Sequence, residues 1–464
     1  MQKIDRLSLI KSISGIRGTI GGEPGQNLTP IDIVSSTAGY AHFLQKRSDN
    51  RKVVVGRDAR ISGSMLNGLV INTLIACGFD VVDLGLSTTP TVEMMVSAEN
   101  AAGGIVLTAS HNPKEWNALK FLNEKGEFIS ANDGQEIIDT IANGQLDFSS
   151  VGNIGKIIPA ENAFRHHIQA ILELSFIDKA LIKSKHYKVV LDPINSTGSL
   201  VIPPLLKALG CEVISIHDDC SGNFAHNPEP LADHLKDLST KVKETGADLG
   251  ISVDPDVDRL ALVMPNGEMF GEEYTLVAAA EAILRNKPGN TVSNLSSTRA
   301  LADVTRQYGG EYYASAVGEV NVVQMMKDKD AVIGGEGNGG VILPDLHYGR
   351  DALVGIVLIL QLLSELDCDL ISLKRRYPQY MMAKTKIQLT DKIDADKLLS
   401  TIAEAFKYEK INIIDGVKID FEEGWVHMRK SNTEPILRLY AEAETKETLS
   451  FLIQKVQSIV EKEI

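Results

Sequence analysis

The sequence predicts an α/β protein: three related α/β domains with mixed sheets, followed by an α+β domain. Two observations carry this. One unit occurs three times: an apolar strand, a polar loop, an amphipathic helix, a glycine and a second apolar strand. A crossover of that length joins parallel strands and turns right-handed. After about Leu373 the order becomes strand, helix, three strands and a final helix. That order suits helices covering one face of an antiparallel sheet. At 464 residues the chain has room for about three or four domains.

The first unit runs from Lys52–Val55 through Gly56–Arg60 and a helix to about Cys77, then Gly78 and Val81–Leu84. The second runs from Tyr187–Leu191 through Asp192–Asn195 and a helix to Leu209, then Gly210 and Glu212–Ile216. The third runs from Asn290–Leu295 through Ser296–Thr298 and a helix to Tyr308, then Gly309 and Tyr312–Ser315. Each glycine stands where a helix end needs a left-handed residue. The apolar run Leu353–Leu363 is too short to span a bilayer and reads as a buried helix. Beyond it come a strand at Tyr380–Leu389 and a helix at Asp394–Phe406. Strands near Gly416–Phe421, Trp425–Arg429 and Ile436–Ala443 follow, then a helix over Lys446–Glu461. The polar segment Asn143–Gly152 closes the first unit, and Asp254–Arg259 lies between the second and third. Domains are therefore expected at residues 1–152, 153–255, 256–372 and 373–464.

A formal net charge of −14 argues against nucleic acid or an anionic membrane as the partner. It leaves room for an anionic small molecule in a local basic pocket. The N-terminal MQKIDRLSLIKS lacks the apolar core of a signal peptide. Cys77, Cys211, Cys220 and Cys368 are scattered, without CxxC pairs, as expected of reduced thiols in a cytoplasmic protein.

Four loops carry candidate chemistry. Thr108-Ala109-Ser110-His111-Asn112-Pro113 follows the apolar run Gly104–Leu107, and Pro113 stops the strand. That places Ser110 where a nucleophile or phosphate carrier would stand. Asp254-Pro255-Asp256-Val257-Asp258-Arg259 follows a strand-like segment. Carboxylates two residues apart in an extended segment share a side, and repel unless a cation neutralises them. Oxygen-only ligands select a hard ion such as Mg²⁺ or Ca²⁺. An EF-hand is excluded, because Arg259 replaces the turn glycine.

Gly334–Gly340 offers Glu336 and Asn338 among glycines, a set suited to sugar hydroxyls. No Gly-Lys-Ser/Thr follows, which excludes a P-loop. Arg429-Lys430-Ser431-Asn432-Thr433-Glu434-Pro435, with Arg438, makes a phosphate cradle between two strands. Arg17 is flanked by glycines, Arg57 and Arg60 sit in the first βα loop, and Lys120 follows the serine loop; the bland reading of each is a solvated surface charge. Together these parts suit phosphoryl transfer on a hydroxylated substrate.

TASHNP, DPDVDR, GEGNGG and RKSNTEP, in this order, resemble the α-D-phosphohexomutases. The resemblance covers the whole chain and implies four domains around a central cleft. It implies that Ser110 is a phosphoserine that gives its phosphoryl group to a hexose phosphate, forming a hexose 1,6-bisphosphate that also primes the enzyme. Ser110, Asp254, Asp256 and Asp258 then hold one Mg²⁺. Lys120 does acid–base work, and Arg17, His111 and Arg259 surround the phosphoserine. Glu336 and Asn338 read sugar hydroxyls, while Arg429, Ser431, Asn432, Thr433 and Arg438 hold the phosphate that is not transferred. A monomer or homodimer is expected.

Two positions depart from the commonest family pattern. Ala118 stands where many members have glycine, and Gly340 where many have a histidine. His347 and Arg350 are candidates to replace that histidine. The loops look most like the phosphoglucosamine mutase branch of archaea and some bacteria, with phosphomannomutase or phosphoglucomutase activity as the alternative. DPDVDR alone would also suit an Asp-nucleophile phosphatase, and a non-catalytic sugar-phosphate sensor is a third reading.

Overall fold

The computed structural model of the protein describes residues 8–12, 15–144, 146–388, 394–431 and 436–463. Its strands form four sheets, and the first three repeat one design. In each, a first strand lies between two parallel neighbours, and the chain then returns on an antiparallel fourth strand. In the first sheet Lys52–Arg57 lies between Asp80–Leu86 and Gly103–Leu107, and Trp116–Leu122 runs back along Gly103–Leu107. In the second, Lys188–Asp192 lies between Glu212–Ser215 and Leu249–Val253, with Leu260–Val263 antiparallel. In the third, Thr291–Asn294 lies between Tyr312–Ser315 and Ile333–Glu336, with Gly340–Ile342 antiparallel.

The three helices of the repeated unit, Gly63–Ala76, Gly198–Ala208 and Ala300–Gln307, give way to Gly78, Gly210 and Gly309, all at positive φ. Gly103–Leu107 and Leu249–Val253 are buried at every residue, the first as an unbroken apolar run and the second with Ser252 as its one polar member.

This repetition positions the candidate loops. TASHNP, DPDVDR and GEGNGG each connect the third strand of a sheet to its fourth. All three leave the carboxyl end of a strand in the parallel part of a sheet, the end at which such sheets bind ligands.

The apolar run becomes the helix Ala352–Leu366, buried from Ala352 to Ser364 within the largest core. Each fully buried leucine or isoleucine there contributes about 1.5–3 kcal/mol. Asp351 starts the helix by accepting the Leu353 and Val354 N–H groups on Oδ1, at 2.8 and 3.3 Å. Among the described residues, no helix is long and apolar enough to cross a membrane. The last sheet is antiparallel throughout. Helices Ala395–Ala405 and Lys446–Glu463 share its core.

The expected domain boundaries do not follow the sheets. Ile157–Pro159 pairs with Asp80–Leu86, so the first sheet continues past residue 152. The boundary at 255/256 falls inside the turn joining Leu249–Val253 to Leu260–Val263, so DPDVDR belongs to the second sheet rather than between two units. The boundary at 372/373 falls inside the helix Leu370–Arg376, whose Leu370 and Leu373 pack into the largest core. Near the N-terminus, Gly15–Thr19 is a strand that pairs Arg17 with Ala118.

Candidate active site

Ser110 sits just past the end of Gly103–Leu107 with φ 49°, a left-handed conformation that costs a non-glycine residue energy. Its surroundings hold it there. The Ser110 N–H donates to Thr108 Oγ1 at 2.9 Å, and Thr108 Oγ1 donates to Asp58 Oδ2 at 2.7 Å. Arg60 frames the rest of the loop. Its Nε donates to Asp58 Oδ2 at 3.0 Å and its Nη1 to the Pro113 and Trp116 carbonyls at 2.7 and 2.9 Å. Its Nη2 donates to the carbonyls of Asn112, at 2.7 Å, and of Ser110. Arg60 is 1% exposed, which corrects its reading as a surface charge.

Asp254, Asp256 and Asp258 are all fully buried, and one oxygen of each lies within 4.8 Å of the others. They do not converge through an extended segment, as the spacing suggested. Asp254 Oδ1 accepts the N–H groups of Asp258 and Arg259 at 3.1 Å each, and Val257 takes φ 63°, so the loop curls. A β-branched residue is a rare occupant of that region. Thr89 ties the curl to the first domain: its Oγ1 donates to Asp256 Oδ2 at 2.7 Å and its N–H to the Asp256 carbonyl at 2.9 Å. The remaining Asp254 oxygen, Oδ2, accepts the Ser110 hydroxyl at 2.6 Å.

Burial, together with Asp258 and Asp256, holds the Asp254 carboxyl well above the usual range. Asp256 goes the other way: burial opposes its charge, but Lys120 and Thr89 outweigh that and lower its pKa. Lys120 Nζ lies 3.0 Å from Asp256 and 4.0 Å from Asp258. Burial works against the ammonium, yet both aspartates raise its pKa above the lysine range.

The triad suits a divalent cation. Asp256 Oδ1 and Asp258 Oδ1 are buried without a hydrogen-bond partner, an expensive state that a cation relieves. The contacting carboxylates are Asp254, Asp256, Asp258, Glu319 and Glu336, against Lys120, Arg259 and Arg350. Carboxyl groups thus outnumber cations five to three.

The glycine-rich loop is a tight turn between Ile333–Glu336 and Gly340–Ile342. Gly339 has φ 88°, and a Cβ there would lie 2.3 Å from the Leu260 carbonyl oxygen. Only glycine lets this turn press against the second domain. Glu336 is held on both oxygens. Oε1 accepts from Asn294 Nδ2 at 2.9 Å and Gly318 N–H at 3.2 Å, and Oε2 from Arg350 Nη1 at 2.6 Å. Burial opposes its charge, but Arg350 prevails and lowers its pKa. Asn338 Oδ1 accepts the Gly340 N–H at 3.2 Å.

One cavity of about 290 Å³ gathers these parts. Ser110, His111, Arg17, Lys120, Arg259 and Glu336 line it, as does Arg350. His111 Nδ1 is 3.4 Å from Ser110 Oγ. Burial, then Arg259 and Arg350, push its pKa well below the usual histidine value, which favours the neutral imidazole.

Asn338, Arg429, Ser431 and Arg438 stand outside that lining. Asn432 and Thr433 lie outside the described residues. Arg429 and Arg438 are directly opposite each other on antiparallel strands, a like-charge pairing that costs stability. Arg429 Nε is buried without a hydrogen-bond partner, as is Arg17 Nε. Burial, and after it the Arg438 charge, lower the Arg17 pKa.

Sequence profiles agree with this geometry. Profiles of the phosphoglucomutase/phosphomannomutase α/β/α domains I, II and III match residues 9–147, 165–267 and 271–380, and that of the C-terminal domain matches 385–457. The chain belongs to the phosphoglucomutase/phosphomannomutase family of phosphohexomutases. As a family member it is an intramolecular phosphotransferase. A probable phosphoglucosamine mutase of Methanopyrus kandleri is 34% identical over 96% of both chains. A phosphoglucomutase/phosphomannomutase of Thermococcus kodakarensis is also 34% identical, over 93% of this chain and 95% of that one. A phosphoglucomutase/phosphomannomutase family structure from Burkholderia thailandensis superposes with a TM-score of 0.86 at 26% identity, covering 98% of this chain and 97% of that one.

Sequence reasoning missed the internal roles of Arg60, Asp58 and Thr89, and named Arg350 only as a candidate. The signal for Arg60 was present in Asp58-Ala59-Arg60: two opposite charges two residues apart, directly after an apolar strand.

Proposed function

We propose that the enzyme interconverts glucosamine 6-phosphate and glucosamine 1-phosphate through a phosphorylated Ser110 and a hexose 1,6-bisphosphate intermediate. The observation that carries this reading is the Ser110 hydroxyl, 2.6 Å from Asp254 in a cavity that also holds Lys120 and Glu336. The glucosamine assignment rests on the name of the Methanopyrus relative. The Thermococcus relative's name supports mannose and glucose phosphates as the second reading.

In the first half-reaction the bond from phosphorus to Ser110 Oγ breaks while a bond from phosphorus to a sugar hydroxyl oxygen forms. The hydroxyl proton has to reach Ser110 Oγ. Lys120 is the proposed carrier: it enters protonated, gives its proton to Oγ and recovers one from the hydroxyl. Neutral His111 orients the serine oxygen without adding charge. Arg17 and Arg259 hold the oxygens of the group in transit.

The bisphosphate then turns over and returns its other phosphoryl group to Ser110 by the reverse steps. Arg429, Ser431, Asn432, Thr433 and Arg438 anchor the phosphate that stays, so chemistry proceeds at the other end of the sugar. Glu336 and Asn338 offer acceptors to the sugar hydroxyls. Asp254, Asp256, Asp258 and a Ser110 oxygen would hold one Mg²⁺, which withdraws charge from the phosphoryl group when bound. A hexose bisphosphate primes Ser110, and the enzyme works in the cytoplasm as a monomer or homodimer.

Steady-state kcat/KM for glucosamine, glucose and mannose phosphates on one preparation tests the reading. Glucosamine phosphate should lead. A lead for mannose or glucose phosphate overturns the sugar, and turnover of none of them overturns the mutase.

A further inference from the structure

Arg350 meets three carboxylates of the cleft at once. Its Nη2 donates to Asp258 Oδ2 and its Nη1 to Glu336 Oε2, both at 2.6 Å, and its Nε lies 3.1 Å from Glu319 Oε2. It thus joins a member of the aspartate triad, on the second sheet, to the acidic residue of the glycine-rich turn, on the third. Its backbone is fixed as firmly. The Arg350 N–H donates to Glu319 Oε1 at 3.0 Å, and the next residue, Asp351, caps the helix Ala352–Leu366.

Gly340 makes this possible. A Cβ at residue 340 would lie 2.4 Å from Arg350 Cδ and 3.0 Å from its Cγ. Any side chain there takes the space through which the arginine stem passes. The two positions are therefore one device: no side chain at 340, and a guanidinium from 350 in its place. A guanidinium suits the task because its rigid fork grips two carboxylates at once, while its unused N–H groups remain for the cavity it lines.

We propose that Arg350 is a positioning residue that locks the aspartate triad and Glu336 in register, so that the sugar hydroxyl meets the phosphoryl group in line, and that Gly340 is required to admit it. The inference rests on the mutase reading. Loss of the lock misplaces reacting groups without removing any of them, so it lowers kcat rather than raising KM.

The test compares the wild type, Arg350→Ala, Arg350→Lys, Gly340→Ala and the double variant Gly340→Ala/Arg350→Ala, with kinetics and calorimetric titration of Mg²⁺. In Arg350→Ala, kcat should fall by about 10²-fold while KM changes only a few-fold. Mg²⁺ should bind no more weakly, because a neighbouring positive charge is gone. Arg350→Lys should recover only part of kcat, since an ammonium cannot fork. Gly340→Ala should lose activity as Arg350→Ala does, and the double variant should be no worse than Arg350→Ala alone.

The inference is overturned if Arg350→Ala keeps kcat within a few-fold of the wild type. It is also overturned if the two single losses multiply in the double variant, or if KM and Mg²⁺ binding collapse together. If the wild type itself interconverts no hexose phosphate, the mutase reading falls and takes this inference with it. If the wild type turns over and Arg350→Ala does so equally, this inference falls alone.

Discussion

The serine loop and the C-terminal basic strands handle charge in opposite ways. Around Ser110, buried charges are paired: Arg60 with Asp58 inside the first domain, Lys120 with Asp256 and Arg350 with Asp258 between domains, and Arg350 with Glu336 inside the third. Carboxyl groups are left over. At the other end, Arg429 and Arg438 stand opposite each other as like charges, with no ion pair to either among the described residues. One end is thus a lattice with the chemistry of a divalent-cation site, and the other is proposed to be completed by a phosphate. A single hexose phosphate meets both demands only if it can be held by one end while it reacts at the other.

The largest expected effect breaks the serine end outright. Ser110→Ala should lower mutase turnover by about 10⁴–10⁶-fold and abolish protein phosphorylation, read by intact-mass spectrometry. A smaller loss would mean that another group carries the phosphoryl.

Next comes the lattice itself. Arg60→Met leaves Asp58 buried without its charge partner, and chemical denaturation should show a loss of about 3–5 kcal/mol. Among the described residues Arg429 makes no ion pair, so Arg429→Ala should leave stability within about 1 kcal/mol. Its effect should be kinetic instead: KM for hexose phosphate up about 10–100-fold, the worth of a charged hydrogen bond, with kcat changed less.

The smallest effects are in pH, with opposite signs at the two ends. Behind Arg350, burial raises Glu93 to about 8, and Asp351 and Glu93 overcome burial to raise His347 to about 10. Both folded values lie above the ordinary ones of 4.5 and 6.5. The stability they contribute is therefore complete at low pH and lost as pH rises through about 8 and then 10. At the basic end, His427 accepts from Ser296 Oγ at 2.9 Å and donates to the Asp415 carbonyl at 2.7 Å, joining the third and fourth domains. Burial lowers it to about 4, so its contribution is present above 6.5 and lost as pH falls through about 4. Melting temperatures across pH should show His347→Gln flattening only the alkaline limb, and His427→Gln only the acid limb.

Much of this was legible in the sequence, for local reasons. The repeated strand–helix–strand units, the helix-ending glycines and the buried helix Ala352–Leu366 follow from patterns within some twenty residues of chain. The short strands Ile157–Pro159 and Lys410–Asn412 were not legible, because three residues carry no periodicity and edge pairing decides them. The four loops were found, but not how they work. The aspartates converge through a curl held by Asp254's own carboxylate, which no spacing rule foretells. The burial of Arg60 and the bridging role of Arg350 were not legible, because both depend on partners far away in sequence: the Ser110 carbonyl for one, Asp258 for the other. The departure at Gly340 was visible, and what occupies its space was not.

The most direct test of the account is a single turnover. Enzyme phosphorylated with a labelled hexose bisphosphate is freed of excess ligand and mixed with unlabelled hexose 6-phosphate and Mg²⁺. The account predicts that label leaves the Ser110 peptide and appears first in a hexose bisphosphate, then in the hexose 1-phosphate pool. Label released as inorganic phosphate, or residing on a residue other than Ser110, would contradict it.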